Sequence, residues 1–435
     1  MSHSFLTRLA AVPLARPHGR LRRVGQGRCV AEGPDCTPGD LCAIETEGGG
    51  RVPAEVVAVD GSEVVLMPLS GDSGLRPGAR AWRSEQGGRT AVGDGFAGRA
   101  IDALGQPIDG GPAILAKEVR SIHGTVLSPL DRAAPPRVVE TGIRAIDGLL
   151  TLGVGQRIGV FAAAGVGKTS LIEQIVTQTR ADRCVLCLVG ERGREVEAIW
   201  RTLSQRRDAT RFTLVAATSD QSAALRARAS GVALALAEHW RDQGEQVLLT
   251  IDSVTRLAMA LREVGLAAGQ PPTVRAYTPN VFSALPRTVE RCGAAAGGGA
   301  ITAVMTVLAE SDEIDDPVAE VMKSMLDGHI LLSRTLAERG QFPAIDLSRS
   351  ISRQAARLMD GPHAAAARRA VAMLGVYDEA RILIESGMYQ AGASAEIDAA
   401  IKMRPALLGF LQQRQDERIG LRDSVAGLVR ATAHG

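Results

Sequence analysis

Residues 157–180 read RIGVFAAAGVGKTSLIEQIVTQTR, and this segment indicates the fold of the central domain. Its start, RIGVFA, predicts a buried strand, and SLIEQIVTQTR predicts an amphipathic helix. The loop between them consists mostly of small residues, so backbone N–H groups and a helix N-terminus can converge on an anion. The sequence therefore predicts a nucleotide-phosphate site composed of Ala162, Ala163, Ala164, Gly165, Val166, Gly167, Lys168, Thr169 and Ser170.

Two residues of this loop carry the chemistry expected of an ATP site. Lys168 should reach the β and γ phosphates, and the Thr169 hydroxyl should coordinate Mg²⁺. The loop departs from the general pattern GxxxxGK(S/T) at its first position, which is Ala162 rather than glycine. Alanine needs a backbone conformation open to L-residues there, so we expect the loop to differ slightly at that end.

A second magnesium ligand is expected where a neighbouring strand ends. The apolar run VLLTIDS, residues 247–253, contains Asp252 at its carboxyl end, where ligands bind in open parallel sheets. Hydrolysis also needs a group that orients a water molecule, and Glu191 directly follows the apolar run CVLCLVG. Asp252 as the cap of a turn and Glu191 as a surface ion-pair partner are the alternative interpretations.

The pattern along the chain indicates an α/β core between two other domains. Short β-type runs separated by turns predict a small barrel near the N-terminus. Strands that alternate with helices predict a mainly parallel sheet covered on both faces, and helical spacing predicts a helical domain after it. A glycine- and proline-rich segment, 93–136, is interpreted as a linker that packs on its neighbours. The predicted limits are a basic tail at 1–20, the barrel at 21–92, the ATPase domain with its linker at 93–352 and the helical domain at 353–435.

Bulk composition is that of a soluble, multidomain protein. The chain has 435 residues, of which 45% are hydrophobic and 23% charged, and its formal net charge is +2. This nearly balanced charge does not favour nucleic acid as a partner, and no apolar run reaches the roughly 20 residues of a transmembrane helix. Cys184 and Cys187 lie inside an apolar run, so we interpret them as buried, reduced thiols of a cytoplasmic protein rather than as a metal site.

The N-terminal stretch is basic and lacks acids before Glu32. It could contact anionic lipid, and a solvated tail is an equally good interpretation. A secretory signal is not expected, because Arg8 and Pro13 interrupt the apolar residues. The arginines in question are Arg8, Arg16, Arg20, Arg22, Arg23 and Arg28.

The order of motifs resembles that of the hexameric ATPases related to the rotary ATP synthase α and β subunits. AAAGVGKT is followed by GERGREV, LLTIDSVTR and FPAIDLSRSISR, and the last matches the group's PxxDxxxSxS signature. Phrases such as VFSALPRTVER and DPVAEVMKSMLDGHILLSR are similar to the type III secretion ATPases of injectisomes and flagella. The resemblance implies an α/β fold with a RecA-like P-loop NTPase core, an N-terminal β-barrel and a C-terminal helical domain.

The resemblance also implies roles for individual residues. Glu191 would be the catalytic carboxylate, with Arg192 beside the γ phosphate and Glu195 close behind the metal ion. Arg256 would support the site, and Arg353 would be an arginine finger that completes the nucleotide site of a neighbouring subunit. Without the resemblance, Arg353 would be interpreted as a capping or ion-pair residue.

An adenine site is implied by the same resemblance. Phe342 occupies the position of an aromatic that lies against adenine, and Tyr389 or Met388 would close the other side. A plain core position is the alternative for Phe342.

A finger that acts in trans implies a homohexamer. The family's partners are stalk and regulator proteins, chaperone-substrate complexes and the export gate at the inner membrane. The loop sequence FAAAG favours the injectisome branch, and a flagellar export ATPase is the alternative. A rotary ATPase subunit, a Rho-type RNA translocase and a scaffold without turnover are the remaining alternatives.

Overall fold

Antiparallel strands near the N-terminus close into a barrel. The structure is a computed structural model that describes residues 17–433 except 26, 72–73, 85–86, 136 and 309–315. The barrel order is β1-β2-β5-β4-β3-β6, and its interior contains Leu21, Ile44 and Leu66, each at most 1% exposed. Its strands are β1 (Gly19–Gly25), β2 (Arg28–Glu32), β3 (Leu41–Glu45), β4 (Arg51–Asp60), β5 (Glu63–Pro68) and β6 (Arg80–Arg83).

Part of the basic N-terminal stretch belongs to this barrel. Arg22 and Arg23 lie on β1, where Arg22 pairs with Glu32 and Arg23 lies 3.8 Å from Glu63. Arg8 and Arg16, and with them most of the proposed lipid-contact segment, lie outside the described residues.

The segment interpreted as a linker contributes strands of its own. β7 (Arg89–Val92) pairs with β9 (Glu118–Ser121), and between them β8 (Ala100–Asp102) joins the edge of the central sheet. A further short strand, β10 (Arg132–Ala133), precedes the phosphate loop. The linker interpretation missed β8, β9 and β10 because runs of two to four residues are too short to show a strand period.

The central sheet is mainly parallel and follows the order β18-β17-β11-β16-β14-β12-β13-β8. β11 lies between β16 and β17 and is parallel to both, whereas β18 is antiparallel to β17. The strands after β10 are β11 (Arg157–Ala162), β12 (Arg183–Glu191), β13 (Phe212–Thr218), β14 (Gln246–Asp252), β15 (Gly293–Ala295), β16 (Ala300–Leu308), β17 (Gly328–Leu332) and β18 (Ile345–Ser352).

Helices cover both faces of this sheet. Along β12, Val185, Cys187 and Val189 enter one hydrophobic core, while Cys184, Leu186 and Leu188 enter the core on the other face. Alternate strand residues point to opposite faces, so a strand buried on both sides reads as a continuous apolar run. The covering helices are α1 (Lys168–Gln178), α2 (Gly193–Ser204), α3 (Ala223–Asp242), α4 (Val254–Ala267), α5 (Pro279–Glu290), α6 (Pro317–Met325) and α7 (Arg334–Glu338).

The chain ends in a helical domain that docks on the ATPase domain. Its helices are α8 (Ala355–Leu358), α9 (Gly361–Glu385), α10 (Ala395–Leu411) and α11 (Leu421–Ala433). The Gln413 amide donates to Gly142 O at 2.7 Å and accepts from Arg144 N at 2.8 Å, which joins the two domains.

The predicted fold class is confirmed: a barrel, a P-loop core and a helical domain follow one another. In the described part of the chain, no helix has the length and apolar character needed to cross a membrane. The predicted domain limits remain predictions.

Candidate active site

The phosphate loop connects β11 to α1 in a geometry that leaves its central residues open to solvent. Gly165 and Gly167 have left-handed backbones, with φ of 80° and 89°, which favour glycine. Ala162 is instead the last residue of β11 and is paired with Leu308, so it needs no such conformation. This accounts for the alanine at the first position of the motif.

Burial divides the loop into anchors and accessible groups. Ala162, Ala163 and Val166 are buried in the core beneath the loop. Ala164, Gly165, Thr169 and Ser170 are exposed or half-buried, so the Thr169 hydroxyl on the first turn of α1 is available to a ligand. The loop can therefore present N–H and hydroxyl groups while its ends stay fixed.

Lys168 faces two carboxylates at the ends of neighbouring strands. Its Nζ contacts Oδ1 of Asp252, the last residue of β14, and lies 3.9 Å from Oε1 of Glu191. Only 12% of the lysine side chain is exposed. Lys168 and the two acids, identified separately in the sequence, thus lie together at the carboxyl edge of the sheet.

Thr306 is a site residue that the sequence reasoning missed. Its hydroxyl lies on β16 and donates to Asp252 Oδ1 at 2.6 Å, so it orients the carboxylate. The sequence shows only a threonine near the carboxyl end of the apolar run AITAVMTVL, which does not by itself indicate a contact with Asp252.

Glu191 is a buried carboxylate, and one of its oxygens accepts no hydrogen bond from a described residue. Its Oε2 lies 3.3 Å from Arg256 Nη2, and another nitrogen of Arg256 donates to Gly190 O. Its Oε1 is buried and has no hydrogen-bond partner among the described residues. Burial, a hydrogen bond with Glu195 and the charge of Asp252 raise the pKa of Glu191 to about 7, although Lys168 and Arg256 oppose the change.

Arg192 and Glu195 lie on the outer side of Glu191. Arg192 caps α2 and is largely exposed, with Nη1 4.0 Å from Oε1 of Glu195. The Glu195 side chain lies within hydrogen-bond reach of Glu191, while the Arg192 side chain is 64% exposed.

Phe342 lies against the phosphate loop. A Cβ built on Gly167 would be 3.3 Å from Cε1 of Phe342, and 46% of the phenylalanine is exposed. Gln413 N donates to Phe342 O at 3.0 Å, so the helical domain fixes the position of this residue. An exposed aromatic ring beside a phosphate loop offers a face on which a base can stack.

Tyr389 and Met388 lie in the loop between α9 and α10. The Tyr389 hydroxyl lies 3.0 Å from Ser394 O and 2.9 Å from Asp398 Oδ1, two acceptors for its single proton, and these contacts hold it within the helical domain. Met388 is 65% exposed. These contacts do not bring either residue to the phosphate loop within the subunit.

Arg353 lies at the sheet edge opposite the phosphate loop of its own subunit. It follows β18, whose Ser352 pairs with Gly328 at the start of β17. Since His329 pairs with Gly159 of β11, Arg353 N lies near the beginning of β11, whereas the phosphate loop follows its end. The Arg353 side chain is exposed, which leaves it open to a neighbouring subunit.

The donor set near Lys168 fits Mg²⁺. Mg²⁺ prefers oxygen ligands and usually binds through one or two protein groups plus substrate phosphates. The accessible Thr169 hydroxyl and the oriented Asp252 carboxylate are of this kind.

Family models match all three domains. The ATP synthase alpha/beta nucleotide-binding domain matches residues 142–352, and the beta-barrel domain of that family matches residues 29–83. The C-terminal domain of the type III secretion ATPase EscN matches residues 359–430.

Individual relatives align along almost the whole chain. The flagellum-specific ATP synthase of Bacillus subtilis strain 168 is 42% identical over 96% of this chain and 95% of its own. The type 3 secretion system ATPase of Sinorhizobium fredii is 40% identical over 95% of this chain and 92% of its own. The assembled ATPase EscN from the enteropathogenic E. coli type III secretion system is 39% identical, with a TM-score of 0.90, 95% coverage of this chain and 100% of that one.

Proposed function

The chain belongs to the family of flagellum-specific and type III secretion ATPases, and on this premise we propose that it uses Mg·ATP hydrolysis at Lys168, Glu191 and Asp252 to drive protein export. Its class as an ATPase follows from its relatives and from the matching nucleotide-binding domain. We propose in addition the roles of the individual residues, Mg²⁺ as the metal and proteins as the exported cargo.

One observation carries the catalytic assignment. Glu191 Oε1 is buried, has no partner among the described residues and lies 3.9 Å from the lysine that would hold the γ phosphate. A raised pKa of about 7 gives this carboxylate the basicity to accept a proton from an attacking water near neutral pH. Arg256 holds Oε2 of Glu191, so Oε1 is the oxygen available to orient water.

The remaining groups would position the substrate. Backbone N–H groups of the loop and the N-terminus of α1 would hold the phosphates, and Lys168 would neutralise their charge. Thr169 and Asp252 would hold Mg²⁺, which supplies charge neutralisation between the β and γ phosphates when it is bound. Arg192 and Glu195 would lie at the outer edge of this arrangement.

Phe342 would supply the adenine platform, because its exposed ring already lies against Gly167. Tyr389 or Met388 would close the other side of the base. Closure would require the loop between α9 and α10 to approach the nucleotide, since the Tyr389 hydroxyl is bound within the helical domain.

We infer that the working form is a homohexamer whose sites are completed by Arg353 of the adjacent subunit. The location of Arg353 far from its own phosphate loop supports this inference. A head-to-tail contact that places one subunit's finger at the next subunit's site generates a ring when the rotation between subunits closes. A further similar structure is assembled EscN in complex with its central stalk EscO, which is 39% identical to this chain with a TM-score of 0.86.

The corresponding partners of this chain would be a stalk protein, a regulator, chaperone-substrate complexes and the export gate at the inner membrane. ATP turnover would release chaperones and unfold the cargo. The chain would work in the cytoplasm against the membrane-embedded export apparatus, and the basic tail could add contact with anionic lipid.

Two export systems fit this proposal. The loop FAAAG favours an injectisome, while the identities of 42% and 41% to flagellar relatives are close to the 40% and 39% to type 3 secretion relatives. A flagellar export ATPase therefore stays the second candidate.

The test is a strain in which Lys168→Ala replaces the wild-type chain. We expect loss of ATP hydrolysis by the purified protein and loss of secreted substrates in the culture medium. Loss of flagellin and motility would assign the flagellar system, and loss of other secreted proteins with normal motility would assign the injectisome. Wild-type secretion of both kinds would refute the export function.

A further inference from the structure

The backbone makes an irregular turn at Gly190, directly before Glu191 at the end of β12. Gly190 has a φ of +69°, and the pairing of β12 with β13 shifts between Val189 and Glu191. The ladder is interrupted at Gly190 and resumes at Glu191, which pairs with Thr218, so the orientation of the Glu191 carboxylate also depends on what packs around this turn.

Two arginines fill the space beside Gly190. A Cβ at this position would lie 3.1 Å from Cδ of Arg256 and 3.7 Å from Cδ of Arg226. Arg256 contacts Glu191 directly, as described above. The aliphatic part of Arg226 therefore forms the second wall of the turn.

The guanidinium of Arg226 is anchored on its far side. Arg226 lies on α3, and its Nη2 donates to both carboxylate oxygens of Glu263 on α4, at 3.1 and 2.9 Å. Its Nε donates to Gln221 O at 3.1 Å, and 16% of its side chain is exposed. The head group is thus bound to protein oxygens, and the shaft is held in one place.

The anchor also fixes a second support of Glu191. Gln221 belongs to the turn between β13 and α3, where its Oε1 accepts from Thr218 N at 3.1 Å. In the same turn, Ser219 N donates to Glu191 O at 3.0 Å. Arg226 therefore acts on Glu191 from two directions, by packing against Gly190 and by holding the turn that binds the Glu191 carbonyl.

We propose that Arg226 is a positioning residue that holds the Gly190–Glu191 backbone so that the carboxylate stays aligned with the phosphate site. The inference rests on the proposed catalytic role of Glu191. It assigns Arg226 no contact with nucleotide, since its guanidinium is committed to Glu263 and Gln221.

Steady-state kinetics separate this role from a merely structural one. For Arg226→Ala we expect kcat to fall about tenfold to a hundredfold, because small misplacement of a catalytic group has effects of this size. The KM for ATP should stay within about twofold, since no phosphate or adenine contact is removed. Arg226→Lys keeps the aliphatic shaft and a charge for Glu263, so it should recover most of kcat.

The matched control is Arg201→Ala. Arg201 forms an exposed pair with Glu197 on α2, with side chains 62% and 61% exposed, so its removal tests the loss of an arginine ion pair away from Gly190. We expect wild-type kcat from this control. If Arg226→Ala does not fold, the test uses Arg226→Lys and Glu263→Gln instead. Glu263→Gln should lower kcat because it weakens the contact that holds the Arg226 guanidinium.

A double variant tests whether Arg226 acts through Glu191. Adding Arg226→Ala to Glu191→Gln should not reduce the residual kcat further. If the two residues acted independently, the fold-losses of kcat from the two substitutions would multiply. Wild-type kcat in Arg226→Ala, with Glu191→Gln inactive, would overturn this inference and leave the proposed function intact. Wild-type kcat in Glu191→Gln itself would instead overturn the proposed function.

Discussion

Arg353 offers the sharpest test of the proposal that neighbouring subunits share an active site. Arg353 N donates to Asp327 O, and Asp327 N donates to Arg157 O, so Arg353 lies near the level of Arg157. At about 3.3 Å per residue and 4.8 Å per strand, the start of the phosphate loop is about 16 Å away along the strands and about 10 Å across them. An arginine side chain does not extend that far, so Arg353 cannot reach the nucleotide of its own subunit.

Removing the guanidinium should therefore damage a neighbour's site. For Arg353→Ala we expect unchanged affinity for ATP and a loss of turnover of about 10³-fold or more, the usual contribution of an arginine finger. Nucleotide affinity is measured by equilibrium titration with a fluorescent ATP analogue, and turnover by phosphate release at protein concentrations that favour assembly. Full turnover by Arg353→Ala would refute the finger assignment.

Mixing two inactive variants distinguishes action in trans from action in cis. Arg353→Ala keeps its phosphate loop and Lys168→Ala keeps its finger, so about one quarter of the interfaces in a random equimolar ring contain both intact parts. We expect activity to return toward that fraction. A mixture of Arg353→Ala with the double variant Lys168→Ala/Arg353→Ala should stay inactive. Failure of the first mixture to regain activity, although mixed rings form, would contradict a shared site.

Three further predictions concern the base, the metal and the barrel interface. Phe342→Ala should raise the KM for ATP about tenfold with little change in kcat, because stacking on a base is worth about 1–3 kcal/mol. Phe342→Tyr keeps an aromatic ring and should leave the KM unchanged. A wild-type KM in Phe342→Ala would refute the role of Phe342 as the adenine platform. Thr306→Val removes the hydroxyl that orients Asp252, so the Mg²⁺ concentration for half-maximal activity should rise about tenfold; an unchanged magnesium titration would contradict this role. Burial raises the pKa of Glu55 from 4.5 to about 7, although Arg228 lies 4.0 Å away and opposes the change. The folded state thus binds more protons than the unfolded state between pH 4.5 and about pH 7, and the free energy of unfolding should fall as the pH rises through this range. Between about pH 5 and pH 8, the free energy of unfolding measured by urea titration should fall by about 2–3 kcal/mol less in Glu55→Gln than in the wild-type protein. Parallel pH profiles of the two proteins would refute this prediction.

The sequence was most informative where local chemistry is dictated by a few adjacent residues. The phosphate loop was predictable because Gly165, Gly167, Lys168 and Thr169 have recognisable roles at fixed spacing between a strand and a helix. Asp252 was predictable because an acid at the end of an apolar strand has a defined place in a parallel sheet.

Contacts between distant segments were not predictable in the same way. The approach of Thr306 to Asp252 depends on the pairing of β14 with β16, which no local pattern specifies. The packing of Arg226 against Gly190 depends on how α3 lies across the sheet. The β18 sequence IDLSRSIS likewise gives no clear strand signal, because its polar residues interrupt any apolar run.

If Glu191 activates water at the phosphate site, replacing its carboxylate must slow the release of phosphate. Wild-type protein and Glu191→Gln are compared with saturating Mg·ATP at concentrations that favour assembly, and nucleotide binding is measured in parallel. We expect equal binding by both proteins and at least about 10²-fold slower phosphate release by the variant. Release by Glu191→Gln at the wild-type rate would contradict it, as would a wild-type protein that neither binds Mg·ATP nor hydrolyses it.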